Sequence, residues 1–134
     1  MRVSAVSRRR PMAASRLVMV IEDDADFREA IVSALEHEGY EVIAAVDGSA
    51  GLELLQWGIV PCVILLDLMM PVMDGWTFRR HQLADPGLAS IPVVVVSADS
   101  RAADLAENNG VHAVLAKPVD IEELLQCLDG LCSK

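Results

Sequence analysis

Five short apolar runs, at residues 17–21, 41–45, 60–66, 91–96 and 111–116, recur along the chain and consist mostly of Val, Ile, Leu and Ala. Branched side chains favour extended backbone, and runs of this length suit strands better than helices. Between the runs the apolar spacing becomes helical. Phe27, Ala30, Ile31, Ala34 and Leu35 share one face ahead of Gly39, and Ile121, Leu124, Leu125 and Leu128 share another. Weaker helical segments are expected at 49–57, stopped by Gly58, at 75–83, stopped by the Asp85-Pro86-Gly87 turn, and at 101–109, stopped by Gly110. Strands apolar on both faces, alternating with helices, predict an α/β fold. Its five-stranded parallel sheet would be doubly wound, with helices on both faces and right-handed crossovers.

In such a sheet, ligands bind beyond the carboxyl ends of the strands. The polar residues at those ends are Glu22 and Asp23 after the first run, Asp67 after the third, Ser97 after the fourth and Lys117 after the fifth. Carboxylates gathered there repel one another by about 4 kcal/mol per pair at ~4 Å and an effective dielectric near 20, which calls for a cation. All-oxygen ligands with room for water suit Mg²⁺, and Asp23 and Asp67 are the expected direct ligands. Asp67 is also a candidate nucleophile toward a phosphoryl group. Lys117 would neutralise the phosphoryl oxygens and the Ser97 hydroxyl would donate to one of them. Taken singly, an acid after a strand caps a helix, as expected for Asp24 or Asp26, and a Ser there makes a turn. The joint placement at four strand ends is what favours the chemical reading.

With 134 residues and 53% hydrophobic content, one compact domain is expected. No apolar stretch approaches the roughly 18 residues of a membrane span, so a soluble, cytoplasmic protein without membrane contact is expected. Five of the 11 basic residues, Arg2, Arg8, Arg9, Arg10 and Arg16, lie in the first 16 positions, which leaves 20 acids against 6 bases, or −14, in the remainder. Residues 1–15 are therefore expected to form a disordered basic tail ahead of a domain at 16–132. They lack the apolar core of a secretory signal. The acidic body disfavours direct nucleic-acid binding and points to protein partners. Cys62, Cys127 and Cys132 show no Cys-x-x-Cys spacing and read as buried thiols of a reducing compartment. His37, His81 and His112 read as surface residues, while Trp57, Trp76 and Phe78 are expected to pack on the sheet.

The stretch Val20-Ile21-Glu22-Asp23-Asp24, the run from Asp67 through Pro71 to Asp74-Gly75, Val96-Ser97-Ala98 and Lys117-Pro118 together resemble the receiver domain of bacterial two-component response regulators, of the single-domain chemotaxis type. The resemblance covers residues 16–132. It implies a flavodoxin-like strand order 2-1-3-4-5, Asp67 as phosphoacceptor, and Glu22 and Asp23 as the acid pair holding Mg²⁺. It also implies the Met69 backbone carbonyl as a further ligand, Ser97 and Lys117 as phosphoryl contacts, and a cis Lys117-Pro118 bond. The implied function is a signalling switch rather than an enzyme, self-catalysing only its aspartyl phosphorylation and dephosphorylation. A histidine kinase or phosphotransfer protein would supply the phosphoryl group, and output would pass to a downstream protein or through a homodimer. One departure is Val114, where many members of the family carry an aromatic that moves with the hydroxyl residue. A phosphorylation-independent adaptor is one alternative. An aspartate-nucleophile phosphohydrolase is another, but that motif needs a second Asp where this chain has Met69.

Overall fold

The computed structural model describes residues 16–70, 72–99, 101–102 and 110–132. In chain order the elements are β1 (Leu17–Ile21), α1 (Ala25–His37), β2 (Glu41–Ala45), α2 (Gly48–Gln56), β3 (Val63–Asp67), α3 (Gly75–Ala84), β4 (Val93–Ser97), β5 (Ala113–Ala116) and α4 (Ile121–Leu131). All strand pairs are parallel and the sheet order is β2-β1-β3-β4-β5. The expected fold and order are thus observed. The helix expected at 101–109 lies almost wholly outside the described residues, as does the tail at 1–15.

The sheet buries both of its faces because successive strand side chains alternate between them. Met19, Ile21, Ile64 and Leu66 pack with Leu52 and Leu55 of α2 and Phe78 of α3. Val18, Val20, Val63 and Leu65 pack on the other face with Ile31 and Leu35 of α1 and Leu124 and Leu128 of α4. Each such side chain withdrawn from water contributes about 2 kcal/mol, which makes this double layer the main source of stability. The helices are capped by acids: Asp24, Asp47, Asp74 and Asp120 each accept from a backbone N–H in the first turn of the helix they precede.

Several expectations need correction. Strands β3, β4 and β5 begin two or three residues later than the apolar runs, at Val63, Val93 and Ala113. Pro61 and Pro92 lack an N–H for the ladder, so the runs enter the sheet only beyond them. Ala30 is exposed, leaving Ile31 and Leu35 as the buried contacts of α1. Trp57 does not pack on the sheet: it ends α2 as its C-cap and is 83% exposed, whereas Phe78 is fully buried. The three histidines are exposed, as expected.

The cysteines depart most from expectation. Cys62 and Cys132 form a disulfide with a Cα–Cα separation of 5.4 Å, and Cys127 alone remains a free thiol. Seventy residues separate the pair, so no local spacing announced it. The parallel sheet brings the start of β3 and the end of α4 to the same edge. Beside this bridge the Tyr40 hydroxyl donates to Asp129 of α4, while the Arg16 guanidinium lies 4.1 Å from the centre of the Tyr40 ring. Burial, and then Asp129, push the Tyr40 hydroxyl up to about 12.

Candidate functional site

The carboxyl edge of the sheet gathers the charged residues singled out above. Ile21 pairs with Leu66 and Ala45, so Glu22 and Asp67 each stand one step beyond a paired residue on adjacent strands. The Glu22 amide donates to Ala45 O at 3.1 Å, which carries the β1–β2 ladder one residue past the strand and leaves Glu22 buried. Asp23 is exposed in the loop that follows. Asp24 caps α1 by accepting from the Phe27 amide, and its own N–H donates to Glu22 Oε2 at 3.1 Å. Arg28, in the first turn of α1, donates from Nη1 to the Glu22 carbonyl at 2.9 Å.

Asp67 closes β3, and its buried carboxylate accepts from the Met69 amide at 3.4 Å. The chain then turns tightly into α3. The Gly75 amide donates to Leu68 O at 3.1 Å, and a Cβ on Gly75 would lie 2.7 Å from Asp67 O. Val72, in that loop, takes a left-handed φ of 69°, which a β-branched residue rarely adopts. On the other side, Asp67 pairs with Val96 and Ser97 with Ala116. The Lys117 amide continues that ladder by donating to Ser97 O at 3.1 Å, and the Lys117-Pro118 bond is cis. The Ser97 hydroxyl oxygen is buried and accepts from the Asp99 amide at 3.0 Å.

Within this frame Lys117 Nζ lies 2.9 Å from Glu22 Oε1 and 3.6 Å from Asp67 Oδ1. One carboxylate oxygen from each of Glu22, Asp23 and Asp67 falls within 4.8 Å of the others. Burial is the largest influence on the Asp67 carboxyl and the charge of Glu22 the next. They push it up to about 7, against the opposing pull of Lys117 and the Met69 N–H. For Lys117, burial works against the ammonium. The hydrogen bond to Glu22 and the charges of Asp67 and Glu22 outweigh it, so the net direction is upward. An acid pushed up by burial and like charge, beside two further carboxylates, is an arrangement that a divalent cation relieves.

A family model described as response regulator receiver domain matches residues 18–129. The chain belongs to that family. The DNA-binding dual master transcriptional regulator RpaA of Synechocystis sp. is 36% identical over 110 residues, covering 81% of this chain and 45% of that protein. Protein PilH of Pseudomonas aeruginosa is 28% identical over 116 residues, covering 85% of this chain and 95% of that protein. The chain thus spans less than half of RpaA and nearly all of PilH. Among solved structures, a response regulator receiver protein from Pseudomonas putida matches with a TM-score of 0.81 at 28% identity, covering 89% of this chain and 99% of that one.

The receiver domain brings four of the expected residues, Glu22, Asp23, Asp67 and Lys117, into one cluster. Ser97 lies on the strand next to Asp67, and Met69 enters through its amide. Val114 is half-buried on β5, paired with Val95, and packs toward the layer that holds α2 and α3. Sequence reasoning missed two residues of this receiver domain. Arg28 had a usable signal, because a cation in the first turn of a helix opposes the helix dipole and implies an acceptor nearby. Phe27, whose ring faces the Lys117 ammonium, had none beyond its apolar spacing.

Proposed function

We propose that this receiver domain is a phosphorylation-dependent signalling switch. In this reading Asp67 accepts a phosphoryl group from a histidine kinase or phosphotransfer protein, and the change is read through protein–protein contact in the cytoplasm. The observation that carries it is the meeting of the Asp67, Glu22 and Asp23 carboxylates with the Lys117 ammonium at the carboxyl edge of a parallel sheet.

The donor set fits Mg²⁺, a hard cation that takes one or two carboxylates and keeps several waters, as the exposure of Asp23 permits. Glu22, Asp23 and Asp67 would hold it, with the Met69 carbonyl as a further ligand. When bound, the cation supplies positive charge against the phosphoryl oxygens. An Asp67 oxygen forms a bond to phosphorus while the bond from phosphorus to the donor atom breaks, and the electron pair leaves with the donor. Lys117 turns from Asp67 toward a phosphoryl oxygen, and the Ser97 hydroxyl donates to another. Because the Ser97 oxygen can still accept from the Asp99 amide while its proton is donated, a shift of Ser97 toward the phosphoryl group would draw the loop after β4 with it. The protein promotes only this reaction on itself.

Intact-mass measurement after treatment with Mg²⁺ and acetyl phosphate tests the reading. The wild type should gain the mass of one phosphoryl group, and Asp67→Ala none. Continuous phosphate release without stable label would instead indicate a hydrolase, and an inert wild type an adaptor; either result overturns the switch.

A further inference from the structure

Carboxylates are not the only groups that hold the cation of the site. Lys117 Nζ lies 4.4 Å from the centre of the Phe27 ring. Phe27 sits in the first turn of α1, where its amide donates to Asp24 Oδ1, and its half-buried ring packs against the core layer that contains Ile31 and Leu124. The ring is therefore fixed by a capped helix end below and by the core behind. Lysine presents a compact charge on a flexible four-carbon stem, so two unequal carboxylate contacts, 2.9 Å to Glu22 and 3.6 Å to Asp67, leave its position open to drift toward Glu22. The face of an aromatic ring attracts an ammonium without demanding a directed hydrogen bond. Lys117 can turn on such a surface while exchanging one oxygen for another.

We propose that Phe27 is a positioning residue for phosphoryl transfer: its ring face holds the Lys117 ammonium at the junction of Glu22 and Asp67 and lets it swing onto the incoming phosphoryl group. This rests on the function proposed above for Asp67 and Lys117. Phe27 touches no reacting atom and acts through Lys117 alone. An aliphatic residue of similar bulk would fill the core without holding the cation, whereas another aromatic would do both.

The test compares the full chain with Phe27→Leu, Phe27→Tyr, Lys117→Met and the Phe27→Leu/Lys117→Met double variant. Two quantities are measured: the maximal labelling rate with acetyl phosphate and the dissociation constant of Mg²⁺ alone. Phe27→Leu should lower the maximal rate about fivefold, in keeping with loss of one cation–ring contact. Its Mg²⁺ affinity should stay within about twofold of wild type, and Phe27→Tyr should restore the rate. On the Lys117→Met background, Phe27→Leu should have no further effect. A second readout needs no phosphorylation: in NMR spectra of the untreated protein, ring current should shift the Lys117 ε-methylene protons upfield in wild type and Phe27→Tyr but not in Phe27→Leu. Wild-type labelling by Phe27→Leu overturns the proposal. So does a loss that tracks Mg²⁺ affinity and is not restored by Tyr, since that marks a loop-folding role. A wild type that takes no label overturns the reading of the site itself, and an upfield shift that persists there separates that failure from the absence of the ring contact.

Discussion

Burial and the charge of Glu22 resist the ionisation of Asp67, and that resistance is measurable as stability. In the folded chain they push its carboxyl up from the ordinary 3.8 to about 7. Between those values the folded chain holds a proton that the unfolded chain has released. Stability therefore falls as pH rises through this window and stays lower above it. Asp67→Asn cannot ionise and escapes the penalty. In chelated buffer it should exceed wild type by on the order of 3 kcal/mol at pH 8, and the gap should close toward pH 4. Urea unfolding at both pH values measures this, and an equal gap at both would contradict it. Glu22, Asp67 and Lys117 were legible in the sequence because each directly follows an apolar run, with Asp23 one residue further on, which fixes their place at one sheet edge. Phe27 was not, because its partner Lys117 follows a distant strand and only the assembled sheet makes them neighbours. Arg28, which donates locally to the Glu22 and Asp23 carbonyls, left a signal in its place near the helix start that went unused.

At the scale of elements, the turn from β3 into α3 shows how tightly the site is built. Alanine in place of glycine inside a helix ordinarily stabilises by about 1 kcal/mol. At Gly75 the added Cβ would meet Asp67 O at 2.7 Å and Leu68 Cα at 2.8 Å, and this backbone cannot yield. Gly75→Ala should therefore destabilise by about 1–3 kcal/mol and slow labelling of Asp67, a reversal of sign that thermal unfolding can read. The first two strands matched their apolar runs residue for residue, whereas β3 and β4 were shortened by the prolines that precede them. At α3 the sequence places Trp76 and Phe78 against the sheet and singles out no polar residue for burial. In fact Arg79 and Gln82 are buried, Arg79 donating to Gln82 Oε1 at 2.7 Å and to Gly110 O at 3.0 Å, and Gln82 donating to the carbonyls of Leu88 and Ile91 at 2.9 Å each. Such burial is tolerated because these hydrogen bonds replace water. Residue type alone does not reveal that carbonyls from two loops are waiting there.

For the molecule as a whole, the Cys62–Cys132 bridge ties the start of β3 to the end of α4, 70 residues away in sequence. Closing a loop of that length restricts the unfolded chain enough to contribute about 4 kcal/mol on a chain-entropy account. A dithiol reductant, or the paired Cys62→Ala and Cys132→Ala substitutions, should lower unfolding stability by that order, and superimposable denaturation curves with and without reductant would refute it. The reading of these cysteines as separate thiols failed because their meeting is a property of the completed sheet rather than of any local segment. Helix α4 begins just after Lys117 and Pro118, at the charged edge, and ends at the bridge on the opposite edge, where Tyr40 also grips Asp129. In the proposed switch, one extremity is bolted and the other is joined to the residue that would turn toward the phosphoryl group, so the helix would act as a lever with its fulcrum at Cys132. A small displacement of Lys117 would then move the Ile121 end most, and an observer of the signal would gain most by gripping that end.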